Sequence, residues 1–191
     1  MQRMNTRDAL VAAALKVLEQ EGEAEFTTRA VCAIAKVSAP TLYHHFGSAD
    51  GLLSAAMAEA FSQFLASKLA AVQSPDPETA LREGWDDYVR FAAARPRLYV
   101  AMMSRFLQGA DIPAARQGTQ LLLDRIRALG AAGRLAVAPE TAADHVWASA
   151  NAAALLHVTA QQRGAQPPEA AVIDELRERT MQAILNPQEK E

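Results

Sequence analysis

The sequence contains a single cysteine, few aromatic residues and no long apolar run. Cys32 has no second cysteine to pair with, which argues against a secreted disulfide scaffold and leaves no framework for a zinc finger. No apolar segment approaches the roughly 20 residues that a membrane-spanning helix needs, so we expect no membrane partner. The segment from Arg7 to Leu15 is too short for a signal peptide and is followed at once by Lys16. We therefore expect a cytoplasmic protein.

Neither sign of charge dominates the chain. The 19 Lys and Arg side chains and the 22 Asp and Glu side chains give a formal net charge of −3. This excludes a globally basic, histone-like protein but leaves room for a local basic patch. Hydrophobic residues make up 50% of the 191 residues, so the chain is long and apolar enough to bury a core in one or two domains.

Residues that favour β-strands are sparse, and no sustained alternation of apolar and polar residues is present. Alanine, the strongest helix former, makes up about a fifth of the chain. Five prolines predict helix starts, because proline is tolerated in a first turn: Pro77, Pro96, Pro113, Pro139 and Pro168. With four earlier helices, the first of them capped by Thr6, the sequence predicts an all-α chain of about nine helices.

Two short helices around a break are predicted between residues 28 and 46. The first ends near Ala35, the break is Lys36-Val37-Ser38, and the second starts at Ser38 and ends at Phe46. These proportions fit a helix-turn-helix, although short helices near a turn are common in bundles that bind no DNA. The geometry alone therefore leaves both interpretations open.

The residue types of the second helix favour DNA binding. Leu42 and Phe46 are four residues apart and would pack inward, which leaves hydroxyl, phenol and imidazole groups on the outer face. Such groups suit contacts to phosphates and base edges. Between Phe26 and Ala49 the sequence has two cations and no acidic residue, so the positive surface is local.

Residues 27–46 read Thr-Thr-Arg-Ala-Val-Cys-Ala-Ile-Ala-Lys-Val-Ser-Ala-Pro-Thr-Leu-Tyr-His-His-Phe. This segment closely resembles the DNA-binding signature of TetR-family transcriptional regulators. The resemblance implies a helix-turn-helix domain of three helices over residues 1–48 and a helical ligand-binding and dimerisation domain over residues 49–191. It also implies a homodimer that binds an operator in double-stranded DNA and responds to a small-molecule effector.

The resemblance also implies which residues meet DNA. Those expected to contact bases or the thymine methyl group are Ser38, Ala39, Pro40, Thr41 and His44. Those expected to contact phosphates are Thr28, Tyr43 and His45, with Arg29 as a longer-range contact. Two positions differ from the usual family pattern. Lys36 stands where glycine is usual, so it either adopts a strained positive φ, whose cost a contact of Lys36 with phosphate would offset, or belongs to a different turn. Ala49 stands where lysine is usual, so one phosphate contact is missing.

Two further sets of residues are predicted in the rest of the chain. An apolar effector pocket between helices would be lined by Tyr88, Met103, Phe106 and Trp147, each of which could equally be ordinary core. The last two helices are apolar enough to form a four-helix interface with a second copy. The interface residues would be Leu155, Leu156, Val172, Leu176 and Ile184, although burial within one chain remains an alternative.

No enzyme, cofactor or metal site is predicted. The sequence has no nucleophile motif, phosphate-binding loop or dinucleotide fingerprint. His44 and His45 are adjacent on a helix and would point about 100° apart, so they are poorly placed to share a metal. On sequence grounds we expect a ligand-responsive repressor. The rival is a helical small-molecule-binding or adaptor protein with weak or lost DNA binding.

Overall fold

The computed structural model describes residues 5–186, and these residues form nine α-helices and no β-strand. The all-α prediction is therefore confirmed. The helices are α1 (Thr6–Gln20), α2 (Thr28–Ala35), α3 (Ala39–Phe46), α4 (Ala49–Ala71), α5 (Pro77–Ala94), α6 (Pro96–Leu107), α7 (Pro113–Ala131), α8 (Pro139–Gln162) and α9 (Ala170–Ile184). Within this part of the chain, no helix is long and apolar enough to cross a membrane.

Local sequence signals set most of the helix boundaries. Four of the five prolines occupy the first position of a helix, where the missing N–H group removes no hydrogen bond. Two predicted starts need correction. The cap of α1 is Asn5 rather than Thr6, because the Asn5 side chain accepts a hydrogen bond from the Asp8 backbone N–H. The last helix begins at Ala170, since Glu169 is still extended.

The chain divides into two compact units. The first comprises residues 5–64 and 95–115, in which α1 packs against α2, α3 and α6. Its core includes the fully buried side chains of Leu10, Leu18, Val31, Leu42 and Leu52. The sixth helix thus joins the three N-terminal helices by packing, although it is distant from them in sequence. The boundary at residue 48 between a DNA-binding and a ligand-binding domain concerns function rather than packing, and it stays a prediction.

The second unit comprises residues 65–94 and 116–186, and α8 packs here against both α5 and α9. Its core is built around Trp85, Leu81, Ile126, Leu129 and Met181, all nearly or fully buried. The Trp85 indole N–H donates a hydrogen bond of 2.9 Å to the hydroxyl of Ser149 on α8, so this large side chain is buried with its polar atom satisfied.

Candidate DNA-binding interface

The helix pair α2–α3 is held by one cap and two buried apolar side chains. Thr27 is extended, and its hydroxyl accepts a hydrogen bond from the Ala30 backbone N–H at the start of α2. Val31 of α2 and Leu42 of α3 are fully buried. Since α1 packs against both helices, the pair is fixed on a three-helix support. The predicted helix-turn-helix geometry is therefore present.

The turn between these helices contains the one non-glycine residue with a positive φ among residues 5–186. Lys36 has φ 56° and ψ 43°, and its backbone N–H donates to the Cys32 carbonyl as α2 ends. The left-handed conformation costs a side chain with a Cβ atom about 1 kcal/mol relative to glycine. Of the two sequence-based alternatives, the strained turn is the one observed. The Lys36 side chain is exposed.

The third helix presents its polar side chains to solvent. Leu42 is its one fully buried residue, whereas Tyr43 is 46% exposed. The hydroxyl groups of Ser38 and Thr41 lie 2.9 Å apart and share a hydrogen bond at the start of the helix. The predicted contact residues are all exposed or half-buried: Thr28, Arg29, Lys36, Ser38, Ala39, Pro40, Thr41, Tyr43, His44 and His45. They occupy α2, the turn and α3, which the fold brings together.

Aromatic rings cluster at the carboxyl end of α3. The rings of His44 and His45 lie 5.4 Å apart between centroids in an edge-to-face arrangement. The ring of His45 lies 6.3 Å from that of Phe46, which is half-buried. Two imidazoles are thus held close together on an exposed helix end, where a protonated imidazole favourably meets the negative end of the helix dipole.

Three acidic residues of the first unit have arginine partners on the sixth helix or at its cap. Arg95 donates to the Glu19 carboxylate through its Nε at 2.8 Å. Arg105 places its Nη2 3.6 Å from Glu23 and 3.5 Å from Asp50. Both arginines come from much later in the sequence, so the sequence of the N-terminal helices does not reveal these ion pairs.

The four predicted pocket residues occupy different environments. Tyr88 is half-buried and its hydroxyl donates to Asn151 Oδ1 at 2.8 Å, so part of its polar capacity is used within the second unit. Trp147, in the same unit, is 42% exposed. Met103 is half-buried and Phe106 is 38% exposed, and both belong to the first unit. The four predicted pocket residues are therefore divided between the two units.

A buried polar cluster in the second unit has no signal in the sequence. The Lys68 ammonium donates to the Gly84 carbonyl at 2.8 Å, and Ser67 donates to Asp87 Oδ1 at 2.9 Å. Burial lowers the pKa of Lys68 to about 8, and the Asp87 charge opposes that shift only in part. Asp87 is 3% exposed, and its Oδ2 atom has no donor among the described residues. These groups are nearly twenty residues apart on α4 and α5, so only the packing joins them.

The predicted interface residues divide into two groups. Leu155, Leu156 and Val172 are exposed, and Leu176 is half-buried against the core. Ile184 is fully buried within the core of its own unit, so it has no surface to offer a second copy. The prediction that Ile184 contributes to the interface is therefore wrong. The apolar residues of α9 do lie along one side of the helix, but the last of them, Ile184, faces the core of its own unit.

Comparisons with known proteins agree with this geometry. The family model described as bacterial regulatory proteins of the tetR family matches residues 10–56, which contain most of α1, all of α2 and α3, and the start of α4. The chain is 33% identical over 90 residues to the HTH-type transcriptional repressor NicS of Pseudomonas putida, a match that spans 44% of this chain and 42% of that protein. The chain thus spans less than half the length of this curated relative.

Solved structures resemble the chain over almost its whole length. A TetR-family transcription regulator from Marinobacter aquaeolei is 17% identical, with a TM-score of 0.73 over 95% of this chain and 96% of the other. A protein of unknown function from Rhodococcus is 21% identical, with a TM-score of 0.82 over 97% and 98% of the two chains. These likenesses show the fold. Residues 10–56 match the tetR family of bacterial regulatory proteins, and the chain as a whole has the fold of these solved structures.

Proposed function

We propose that this regulator is a homodimeric repressor that binds a near-palindromic operator and is released by a small-molecule effector. The observation that carries the proposal is the exposed face of α3, which has hydroxyl, phenol and imidazole groups and no acidic residue. A cytoplasmic location accompanies this function, because the chromosome lies there.

On DNA, α3 enters the major groove and its exposed face meets the bases. Ser38, Thr41 and His44 donate to or accept from base edges, and Ala39 and Pro40 contact apolar surface such as the thymine methyl group. The phosphate contacts flank this face and fix its register without reading sequence. They come from Thr28, Arg29, Lys36, Tyr43 and His45.

The dimer brings two such helices to one face of the duplex. Exposed apolar side chains on α8 and α9 support a two-fold interface, which we assign to Leu155, Leu156, Val172 and Leu176. Ile184 is left out, because it is buried in its own chain. In such a dimer the recognition helices lie about 34–36 Å apart, one turn of DNA, and the operator is correspondingly near-palindromic.

The effector is largely apolar and binds in the helical body of the second unit, where Tyr88 and Trp147 are its candidate contacts. An effector that binds better to a conformer with a different spacing of the two α3 helices removes the protein from DNA. The shift is set by the difference between its affinities for the two conformers. An effector with equal affinity for both would leave DNA binding unchanged.

A second candidate function is a ligand-binding or adaptor protein that has kept the fold but lost strong DNA binding. The exposed Ala49 at the start of α4 favours this candidate, because it offers no charge to a phosphate. Against it stands the strained Lys36, an exposed cation that the turn retains at a cost in stability.

The two candidates differ in one experiment. The purified dimer is mixed with random and native genomic fragments at physiological salt, and the bound fragments are sequenced. The repressor proposal predicts enrichment of a near-palindrome by the wild type and none by Tyr43→Ala, a variant of an exposed residue that should fold normally. A folded dimer that enriches nothing, with or without metabolites that raise its melting temperature, supports the adaptor.

A further inference from the structure

We propose that Arg7 of α1 is a further phosphate contact of the DNA-binding unit, held in place by the ring of Phe46. This inference rests on the proposed DNA binding and extends the interface to a helix outside the helix-turn-helix. Nothing in the spacing of the sequence suggests it, because the two residues are far apart along the chain.

The first step is the position of the guanidinium group. The Arg7 Cζ atom lies 5.3 Å from the centroid of the Phe46 ring, within the range of a cation–π interaction. Phe46 is the last residue of α3. The Arg7 charge is therefore fixed at the carboxyl end of the helix that carries Tyr43, His44 and His45.

The second step is the state of that charge. Arg7 is exposed, and no carboxylate among residues 5–186 forms an ion pair with it. Its counterparts Arg95 and Arg105 in the same unit are both paired with acidic residues. An arginine that is oriented by a ring and is not neutralised by a carboxylate keeps its planar donors available for a phosphate, which it can bind through two hydrogen bonds.

The third step is the small number of cations near α3. Between Phe26 and Ala49 the only Lys or Arg residues are Arg29 and Lys36, and the start of α4 contributes Ala49 instead of a cation. A third cation at the far end of α3 lengthens the positive surface along the duplex. Because the ring restrains the side chain before binding, less conformational entropy is lost on DNA than for a freely rotating arginine.

The test uses the full-length protein and a fluorescently labelled random-sequence duplex, with affinity measured by anisotropy over a series of salt concentrations. Each phosphate contact adds about 0.9 to the slope of log affinity against log salt. Arg7→Gln should therefore flatten the slope by about 0.9 and weaken binding roughly fivefold to tenfold near 0.1 M salt.

The matched control is Lys16→Gln. Lys16 is an exposed cation on the same helix, and nine residues at about 100° each place it on the opposite side of α1 from Arg7. The control removes the same charge from the chain and should leave the slope unchanged. Arg7→Met guards against a folding defect, since it keeps an unbranched apolar stem beside Phe46 and should show the same loss as Arg7→Gln.

The outcomes separate the two proposals. An unchanged slope in folded Arg7→Gln and Arg7→Met, or an equal loss in Lys16→Gln, overturns the contact while DNA binding by the wild type stands. If the wild type itself binds no duplex at low salt, the proposed function is contradicted and the Arg7 contact with it. Thermal melts of each variant establish that the compared proteins are folded.

Discussion

The two units of this chain treat their polar side chains in opposite ways. In the first unit the polar groups of α2, the turn and α3 point outward, and the strained Lys36 is among them. In the second unit Trp85, Tyr88 and Asp87 direct polar atoms toward partners on neighbouring helices. The first set of groups is therefore exposed to solvent, whereas the second set is largely satisfied within the chain.

This difference explains why the sequence of the first unit predicts a function, whereas the sequence of the second unit does not. A helix-turn-helix reads DNA with residues that are close in sequence, so a twenty-residue segment contains nearly the whole interface. A pocket or polar cluster in a helix bundle is assembled from distant segments.

The largest effect is expected in the core of the second unit. Ile184→Ala should lower the free energy of unfolding by about 2–5 kcal/mol, because it removes a fully buried side chain and leaves a cavity. Urea unfolding followed by circular dichroism measures the change. Gln182→Ala, at an exposed position of the same helix, should alter stability by less than about 0.5 kcal/mol. Equal losses in the two variants would contradict the inward placement of Ile184.

The next largest effect concerns the proposed interface. Leu155→Glu introduces a charge into an apolar surface that a second copy would bury, so the dimer dissociation constant should rise by roughly 30-fold or more, or about 2 kcal/mol. Sedimentation equilibrium provides the measurement. Gln161→Glu adds the same charge at another exposed position on α8 and should leave the dimer intact. An unaffected Leu155→Glu dimer would place the interface elsewhere.

A third effect is a pH dependence that Lys68 gives to the stability of the second unit. The pKa of Lys68 is lowered from 10.5 to about 8, so between those values the unfolded chain holds a proton that the folded chain has lost. The free energy of unfolding should therefore increase as pH rises from about 8 to about 10.5, by at most about 1.4 kcal/mol per pH unit. Below pH 8 both states are protonated, and this contribution to the slope disappears.

The check is the stability of wild type minus that of Lys68→Met, measured by urea unfolding at several pH values. The difference removes the contributions of the other titrating groups that the two proteins share. It should rise with pH through this window. A difference that stays flat would show that Lys68 keeps an ordinary pKa in the folded protein.

The smallest effect is expected for Lys36→Gly, which should stabilise the folded protein but weaken its binding to DNA. Lys36→Gly should raise the free energy of unfolding by up to about 1 kcal/mol, because glycine adopts φ 56° without strain. The same change should weaken DNA binding by roughly fivefold to tenfold at about 0.1 M salt, through the loss of one phosphate contact. Unfolding curves and anisotropy titrations on the same samples measure the free energy of unfolding and the affinity for DNA. A stabilised variant with unchanged affinity would assign Lys36 no part in binding.

The sequence predicts the fold well where local signals act. Prolines at the first positions of four helices, the Thr27 cap and the glycine after α3 define boundaries from neighbouring residues alone. The exposed face of α3 follows from the four-residue spacing of Leu42 and Phe46, which fixes the inward side. Even the strain at Lys36 could be anticipated as one of two alternatives.

What the sequence could not predict depends on packing between distant segments. The inward position of Ile184 depends on how α9 meets the core of its unit, which its own stripe does not reveal. The pairing of Arg95 with Glu19 and the stacking of Arg7 on Phe46 join residues from different helices. The joint burial of Lys68 and Asp87 is likewise a property of two helices. No periodicity within a single helix encodes such contacts.

A hydroxyl-radical footprint of the dimer on a duplex recovered by selection tests whether the exposed face of α3 binds DNA. We expect two protected half-sites about one helical turn apart, and we expect Tyr43→Ala to lose both while it stays folded and dimeric. A wild-type footprint that persists unchanged in Tyr43→Ala, or a folded dimer that protects no duplex, would contradict the assignment of the α3 face as the DNA-binding surface.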